Sequence, residues 1–121
     1  AQAANESAWG TSRFAVEGNN IFGQWCFEQG CGLVPLQRKG NASYEVRKFD
    51  SISASVSAYI KNLNSQYSYE ELRELRALMR SRNEPLNAID LAAGLAAYSE
   101  RGEDYVDEVR SLIVQNELDR L

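Results

Sequence analysis

Carboxylate, hydroxyl and thiol side chains are the groups in this sequence that could take part in catalysis, because its 121 residues include no histidine. A Ser-His-Asp triad, a Cys-His pair and a zinc site built on imidazole are therefore excluded within the chain. A pair of carboxyl groups remains, and such a pair can hydrolyse a glycosidic bond. One carboxylic acid protonates the leaving oxygen, and a second group stabilises the cationic sugar or activates water.

Glu6 is the leading candidate for the acid. It lies in an alanine-rich segment, Ala1 to Trp9, that favours a helix and that Gly10 is expected to end. We expect Trp9 to pack beneath this helix and to shield Glu6 from water, with stacking on a substrate ring as the alternative. Burial and the negative end of the helix would both raise the pKa of Glu6. The alternative is an ordinary solvated glutamate on a helix surface, which is the commoner environment of this residue type.

Composition places the chain among globular proteins, with 44% apolar and 25% charged residues. The formal net charge of −4 argues against a general nucleic-acid binder. No apolar run is long enough to predict a membrane span, and the opening residues lack a signal-peptide pattern. The chain starts abruptly inside a helical pattern. We therefore expect residues 1–121 to be a single domain from the C-terminal part of a longer protein.

The glycine-rich front of the sequence predicts short, irregular elements. Thr11 or Ser12 is expected to cap a short helix that ends at Gly18. Residues 32–36 and 43–49 are the strand candidates, and together they predict a small β-hairpin.

The sequence after residue 51 predicts four helices whose apolar stripes form a core. Asp50 or Ser51 is expected to cap the first helix. Ser68 and Glu71 form a possible capping box before the second, and Pro85 suits the first turn of the third. Gly102 separates the third helix from the last.

Two blocks near the start carry a specific resemblance. Residues 1–14 read AQAANESAWGTSRF and residues 19–23 read NNIFG. Together they resemble the A-x-A-x-x-E-S-x-W-G-x-S and N-N-x-F-G signature of bacterial β-N-acetylglucosaminidase domains, glycoside hydrolase family 73. Residues 25–35, 44–51, 58–64 and 98–106 resemble the Bax-like branch of that family. The resemblance therefore extends over nearly the whole chain.

The resemblance implies an α+β, mostly helical, lysozyme-like fold, in which a helical lobe and a small β-hairpin lobe flank a glycan cleft. The family's general acid corresponds to Glu6. Its second carboxylate lies in the β-lobe, where Glu45 is the best match and Asp50 the runner-up, although Asp50 also suits a helix cap. Tyr98 corresponds to a tyrosine that assists some members, but Tyr98 and Tyr105 also fit the apolar stripes of their helices.

The same resemblance implies contacts with substrate. Asn20, Phe22 and Trp25 are expected to line the cleft, because aromatic rings stack on sugar faces and amides bind their polar groups. Asp50 is expected to be a further residue that binds the substrate. Gly23 is expected to serve backbone geometry or a close approach of the glycan.

Cys26 and Cys31 are close enough in sequence to form a small disulfide ring, which suits an enzyme that acts on the cell wall in an oxidising compartment. Two reduced, buried thiols are the alternative. No further ligands for a metal are evident, and no cofactor is expected.

The sequence thus predicts a peptidoglycan hydrolase that cleaves β-1,4 glycosidic bonds as an N-acetylglucosaminidase or a muramidase, in the periplasm or outside the cell. Its partner would be the glycan strand, with a cognate inhibitor or immunity protein as a further candidate. Two alternatives remain: a non-catalytic peptidoglycan-binding module, and the lytic domain of a secreted antibacterial effector with the same chemistry.

Overall fold

A computed structural model describes residues 1–38 and 40–121. The chain is mostly helical and has one small antiparallel sheet, which confirms the predicted α+β, mostly helical fold class. It divides into two compact units: Gln2–Ile60 is one, and Ala1 with Lys61–Leu121 is the other. None of the helices in the described ranges is long and apolar enough to cross a membrane.

The first helix, α1, spans Gln2–Glu6 and is shorter than predicted. The chain leaves the helix because Ala8 and Trp9 both take positive φ angles, of 50° and 57°. Trp9 is consequently 62% exposed. The prediction that it packs beneath the helix and shields Glu6 was therefore wrong, since periodicity cannot anticipate a turn made by residues that rarely adopt this backbone conformation.

The second helix, α2, spans Arg13–Gly18 and matches its prediction closely. Ser12, one of the two caps proposed, accepts a hydrogen bond from the backbone N–H of Ala15 at 3.2 Å. The helix ends where Asn19 adopts the left-handed conformation.

The sheet has three short strands rather than the two of the predicted hairpin. They are β1 (Trp25–Cys26), β2 (Gly32–Leu33) and β3 (Glu45–Arg47), in the spatial order β1-β3-β2. Both neighbours of β3 run antiparallel to it. β1 was not predicted because two residues between turn-forming segments carry no periodic signal.

The helix α3 spans Ile52–Ser65. Its cap is the Ser51 hydroxyl, which accepts a hydrogen bond from the N–H of Ala54 at 3.0 Å. Of the two caps proposed, Ser51 is therefore the one used, and the helix-capping role suggested for Asp50 is not observed.

The remaining helices carry the core of the second unit. They are α4 (Glu70–Ser81), α5 (Ala88–Leu91) and α6 (Glu103–Gln115), with 3₁₀ turns at Tyr67–Tyr69, Ala92–Tyr98 and Leu118–Arg120. Two start signals were misplaced. Tyr69, not Ser68, precedes α4 without a side-chain cap, and Asn87 caps α5 downstream of Pro85.

The core of this unit is one apolar cluster, as the helical stripes predicted. Its buried members come from α4, α6 and the 3₁₀ segments before α4 and after α5, and they are Tyr69, Leu72, Ala92, Leu95, Tyr105, Val106, Val109 and Ile113. Gly94 allows two of these elements to approach closely. A methyl group added there would lie 2.5 Å from the Cα of Leu72, well inside van der Waals contact.

We predict that Gly94→Ala lowers the free energy of unfolding by about 1–3 kcal/mol or more, because the added methyl overpacks the core against a backbone that cannot move away easily. Urea denaturation followed by circular dichroism measures the change. Gly18→Ala is the matched control, since a methyl at Gly18 would meet neighbours at ordinary distances of 3.5 Å or more. Equal stability of the two variants would contradict the prediction.

Candidate active site

Glu6 is the last residue of α1 and is half-buried. The turn that follows it is held by Ser7, which is almost completely buried. The Ser7 hydroxyl donates to the carbonyl of Ala3 at 2.6 Å and accepts from the N–H of Gly10 at 2.8 Å. One side chain thus caps the end of α1 and fixes the loop after it, so the backbone on both sides of Glu6 is held in place.

The segment 19–23 approaches Glu6 directly. A methyl group built on Gly23 would lie 3.1 Å from Oε2 of Glu6, and Gly23 has a positive φ of 66°. Only glycine allows both this conformation and this proximity without strain. Gly23 therefore serves backbone geometry, one of the two roles predicted for it, and it lies close to the carboxyl group of Glu6. A close approach of the glycan stays a prediction.

Asn20 holds this segment in shape. Its side chain is 1% exposed and makes four hydrogen bonds to backbone groups. The amide nitrogen donates to the carbonyls of Gln24 and Arg47 at 2.9 Å, and the amide oxygen accepts from the N–H groups of Phe22 and Gln24. These bonds use the full capacity of a primary amide. The sugar contact predicted for Asn20 would need one of them to break.

Phe22 is also part of the scaffold. It is 7% exposed and stacks in parallel on Tyr59, with ring centroids 3.8 Å apart. The Tyr59 hydroxyl hydrogen-bonds to Oε1 of Gln2, at the start of α1. Tyr59 therefore links the segment that carries Gly23 to the helix that carries Glu6. Tyr59 lies within the segment 58–64 that resembles the family, but the sequence shows no sign of this link.

Trp25 is the exposed member of the three predicted cleft residues, with 52% of its surface accessible. Its ring stacks on Tyr44, with centroids 4.0 Å apart and an interplanar angle of 17°. The register of the sheet pairs Trp25 with Val46 on β3, which brings Tyr44 within diagonal reach on the same face. Tyr44 was not predicted as a site residue, and its alternation with Val46 was the available signal.

Glu45 lies in the centre of the sheet and is 5% exposed. Its Oε2 accepts a hydrogen bond from the N–H of Gly30 at 2.9 Å, and its Oε1 accepts one from the N–H of Gly32 at 3.0 Å. These two bonds, together with the charge of Arg38, lower the pKa of Glu45 against the opposing effect of burial. The side chain is therefore a buried carboxylate, and its catalytic role stays a prediction.

The Cys26–Cys31 disulfide is formed, as predicted, with the two Cα atoms 6.2 Å apart. It closes the loop between β1 and β2. Both amides that donate to Glu45 flank Cys31, so the carboxylate and the disulfide act on the same short loop.

Asp50 and Tyr98 are the two remaining predicted site residues. Asp50 is exposed between β3 and α3. Tyr98 belongs to the helical unit, where its ring stacks on Tyr105 with centroids 5.6 Å apart and lies 6.0 Å from that of Tyr69. Tyr98 therefore packs against the apolar core of its own unit, as its place in a helical stripe predicts. The binding role of Asp50 and the catalytic role of Tyr98 stay predictions.

The unit 2–60 therefore brings together three of the predicted features: the carboxyl group of Glu6, the glycine segment against it, and a disulfide-closed loop beside an exposed tryptophan. A half-buried carboxyl group held on fixed backbone is suited to general acid catalysis. Among the residues that the structure describes, no group of three or more Asp, Glu or Cys side chains is placed to hold a metal ion.

Comparisons with known proteins bear on the family of this chain. The family model described as mannosyl-glycoprotein endo-beta-N-acetylglucosaminidase matches residues 1–118. The chain is 35% identical over 115 residues to Protein bax of Escherichia coli (strain K12); the match covers 95% of this chain and 40% of that protein. The chain thus spans about two-fifths of the length of this relative. No solved structure matches it significantly.

The match extends across both signature blocks, and the relative's name agrees with the Bax-like resemblance of the remaining segments. Because the family model covers nearly all of the sequence, this chain belongs to the glucosaminidase family.

Proposed function

We propose that this domain hydrolyses β-1,4 glycosidic bonds of the peptidoglycan glycan strand, with Glu6 as the general acid. Membership of the glucosaminidase family supports a glycosidase in general terms. The observation that carries the assignment of Glu6 is the proximity of Gly23, where an added methyl group would lie 3.1 Å from Oε2 of Glu6. Two signature blocks separated in sequence meet at one carboxyl group, and residues around both blocks hold it there.

In the proposed reaction the protonated carboxyl group of Glu6 donates its proton to the glycosidic oxygen. The bond between that oxygen and the anomeric carbon breaks, and the leaving sugar departs with a new hydroxyl group. Positive charge develops on the remaining sugar ring, and water then adds to the anomeric carbon and releases a proton. A group that stabilises this charge completes the reaction, and the substrate's own 2-acetamido oxygen is able to do so.

Substrate binding is proposed to involve Trp25. A sugar presents an apolar face of C–H groups that packs well on an exposed aromatic ring. Trp25 is half-exposed and its orientation is supported by the stacked ring of Tyr44. The buried ring of Phe22 is less suited to this contact and instead supports the backbone next to Gly23.

The proposed site of action is outside the cytoplasm. Disulfide bonds persist in oxidising compartments, and the peptidoglycan substrate lies there too. The Cys26–Cys31 bond is consistent with that location.

We predict that Glu6→Gln abolishes hydrolysis while the fold is retained. Glutamine preserves the shape of the side chain but has no acidic proton, so the rate should fall by at least about 10²–10⁴-fold, the usual contribution of a general acid. The release of soluble fragments from purified peptidoglycan measures the rate, and circular dichroism checks the fold.

The control for this experiment is Glu17→Gln, which removes an exposed carboxylate paired with Arg13 at 3.2 Å. It should leave hydrolysis unchanged. A folded Glu6→Gln protein that still releases fragments would exclude Glu6 as the acid. Wild-type protein that binds peptidoglycan but releases no fragments would instead indicate a binding module. Mass spectrometry of borohydride-reduced fragments identifies which sugar is at the new end, and hence which bond is cut.

We predict that Gly23→Ala also reduces hydrolysis, by up to about 10²-fold. The added methyl would displace the carboxyl group of Glu6 from its alignment with the glycosidic oxygen. The added methyl would crowd Oε2 of Glu6 at 3.1 Å. Gly40→Ala is the matched control. Gly40 also has a positive φ, of 54°, but a methyl there would meet nothing within 4 Å.

Both alanine variants should lose a similar amount of stability, about 1–2 kcal/mol for a residue forced into the left-handed region. When both variants are folded, only Gly23→Ala should hydrolyse peptidoglycan more slowly than the wild-type protein. Equal activity of the two variants at a temperature where both are folded would show that the proximity of Gly23 to Glu6 is unimportant for the reaction.

A further inference from the structure

Glu45 differs from the other candidate site residues because hydrogen bonds hold both of its carboxylate oxygens on backbone amides. Oε2 and Oε1 accept from the N–H groups of Gly30 and Gly32, two residues apart, at 2.9 and 3.0 Å. Successive amides turned towards one anion form a concave anion-binding arrangement of the kind that proteins use for phosphate. Here the chain supplies its own anion.

The covalent and ionic constraints act on the same residues. The sheet register places Cys26 directly opposite Glu45, and the disulfide joins Cys26 to Cys31. Cys31 lies between the two glycines whose amides bind the carboxylate. The loop is therefore closed at its base by a covalent bond and fixed from inside by a carboxylate. Each constraint restricts the same backbone.

These contacts reach the strands on either side of β3. Gly32 is the first residue of β2, and Cys26 is the last residue of β1. Both flanking strands have only two residues, so the ladder provides few hydrogen bonds to hold them. Trp25, the other residue of β1, is exposed and stacked on Tyr44 next to Glu45. A loosened loop would therefore loosen Trp25.

The same contacts make Glu45 poorly suited to react. Protonation of either oxygen would weaken its hydrogen bond from a glycine N–H, because a neutral carboxyl oxygen is a poorer acceptor than a carboxylate oxygen. With only 5% of the residue exposed, a sugar or an attacking water also has little access to the carboxylate.

We propose that Glu45 is a positioning residue that holds the Cys26–Cys31 loop, and through it Trp25, in the orientation that binds the glycan, and that it does not itself react with the substrate. The effect on the glycan rests on the proposed function. The hold on the loop does not, and it can be measured without substrate.

The first experiment is a pH titration of the oxidised wild-type protein by NMR. The amide protons of Gly30 and Gly32 should shift together as Glu45 takes up a proton, with a midpoint below its ordinary pKa of 4.5. Arg38 contributes to the lowered pKa, and Glu28 lies in the same loop, so Arg38→Gln and Glu28→Gln serve as references. The shift should survive in both variants and be absent from Glu45→Gln.

The second experiment compares Glu45→Gln with Glu28→Gln. Each variant loses one negative charge, but Glu45 is buried and Glu28 is exposed. A glutamine side chain has one acceptor oxygen and one donor NH₂ group, so at least one glycine amide loses its acceptor. Dithiothreitol should therefore reduce the Cys26–Cys31 bond several-fold faster in Glu45→Gln than in Glu28→Gln.

The third measurement separates positioning from catalysis. Glu45→Gln should raise KM for soluble peptidoglycan fragments several-fold and leave kcat within about tenfold, since a catalytic acid or base would change kcat by about 10²-fold or more. A large loss of kcat with unchanged KM, unchanged glycine amide signals and unchanged disulfide reduction would overturn the proposal. If the wild-type domain has no hydrolytic activity, the proposed function fails, while the titration and the reduction rates still decide whether Glu45 holds the loop.

Acid stability provides a further prediction. Because the pKa of Glu45 is lower in the folded protein, its carboxylate stabilises the fold above pH 4.5, and this contribution is lost as the pH falls through the lowered pKa. The free energy of unfolding should thus depend less on pH below 4.5 in Glu45→Gln than in Glu28→Gln. Identical pH dependence in the two variants would contradict the assigned contacts.

Discussion

The arrangement of residues 2–60 depends on the side-chain amide of Asn20. A segment with little regular structure lies between α2 and β1, and its backbone groups need partners because unpaired polar groups are costly when buried. Asn20 provides four such partners from one position, bonding to Phe22, Gln24 and Arg47. It thereby fixes the path of the chain through Gly23 and ties this path to β3. The approach of Gly23 to Glu6 follows from that constraint.

The general acid proposed, Glu6, needs a fixed position, and side chains of neighbouring residues fix the backbone that carries it. Ser7 closes the turn after α1, Gly23 leaves room beside the carboxyl group, and Tyr59 joins Gln2 to the ring of Phe22. Apart from the glycine, each of these residues uses a polar atom or an aromatic face to hold another element. The signature of the family therefore includes residues that hold the carboxyl group as well as the carboxyl group itself.

The two buried acidic or amide residues expected to meet substrate, Glu45 and Asn20, share one property. Each is almost fully enclosed, and each is satisfied by backbone groups of neighbouring loops. In a small sheet with two-residue edge strands, such side chains substitute for the hydrogen bonds that longer strands would provide. A polar residue in a family motif can thus be required for the shape of a site. Trp25, by contrast, is exposed.

The sequence alone determined the family, the fold class, the helix α2, and the existence of α3, α4 and α6. These depend on local caps, helical periodicity and motifs that can be read along the chain. It favoured a bond between Cys26 and Cys31 over two reduced thiols, and the structure shows the bond. It did not determine the early end of α1, the strand β1, or the partners of Glu45 and Asn20. The partners of Glu45 and Asn20 depend on contacts between residues distant in sequence, and the early end of α1 depends on positive φ angles at Ala8 and Trp9 that carry no periodic signal. Tertiary structure therefore decided which polar residues of the motifs are enclosed and which stay accessible.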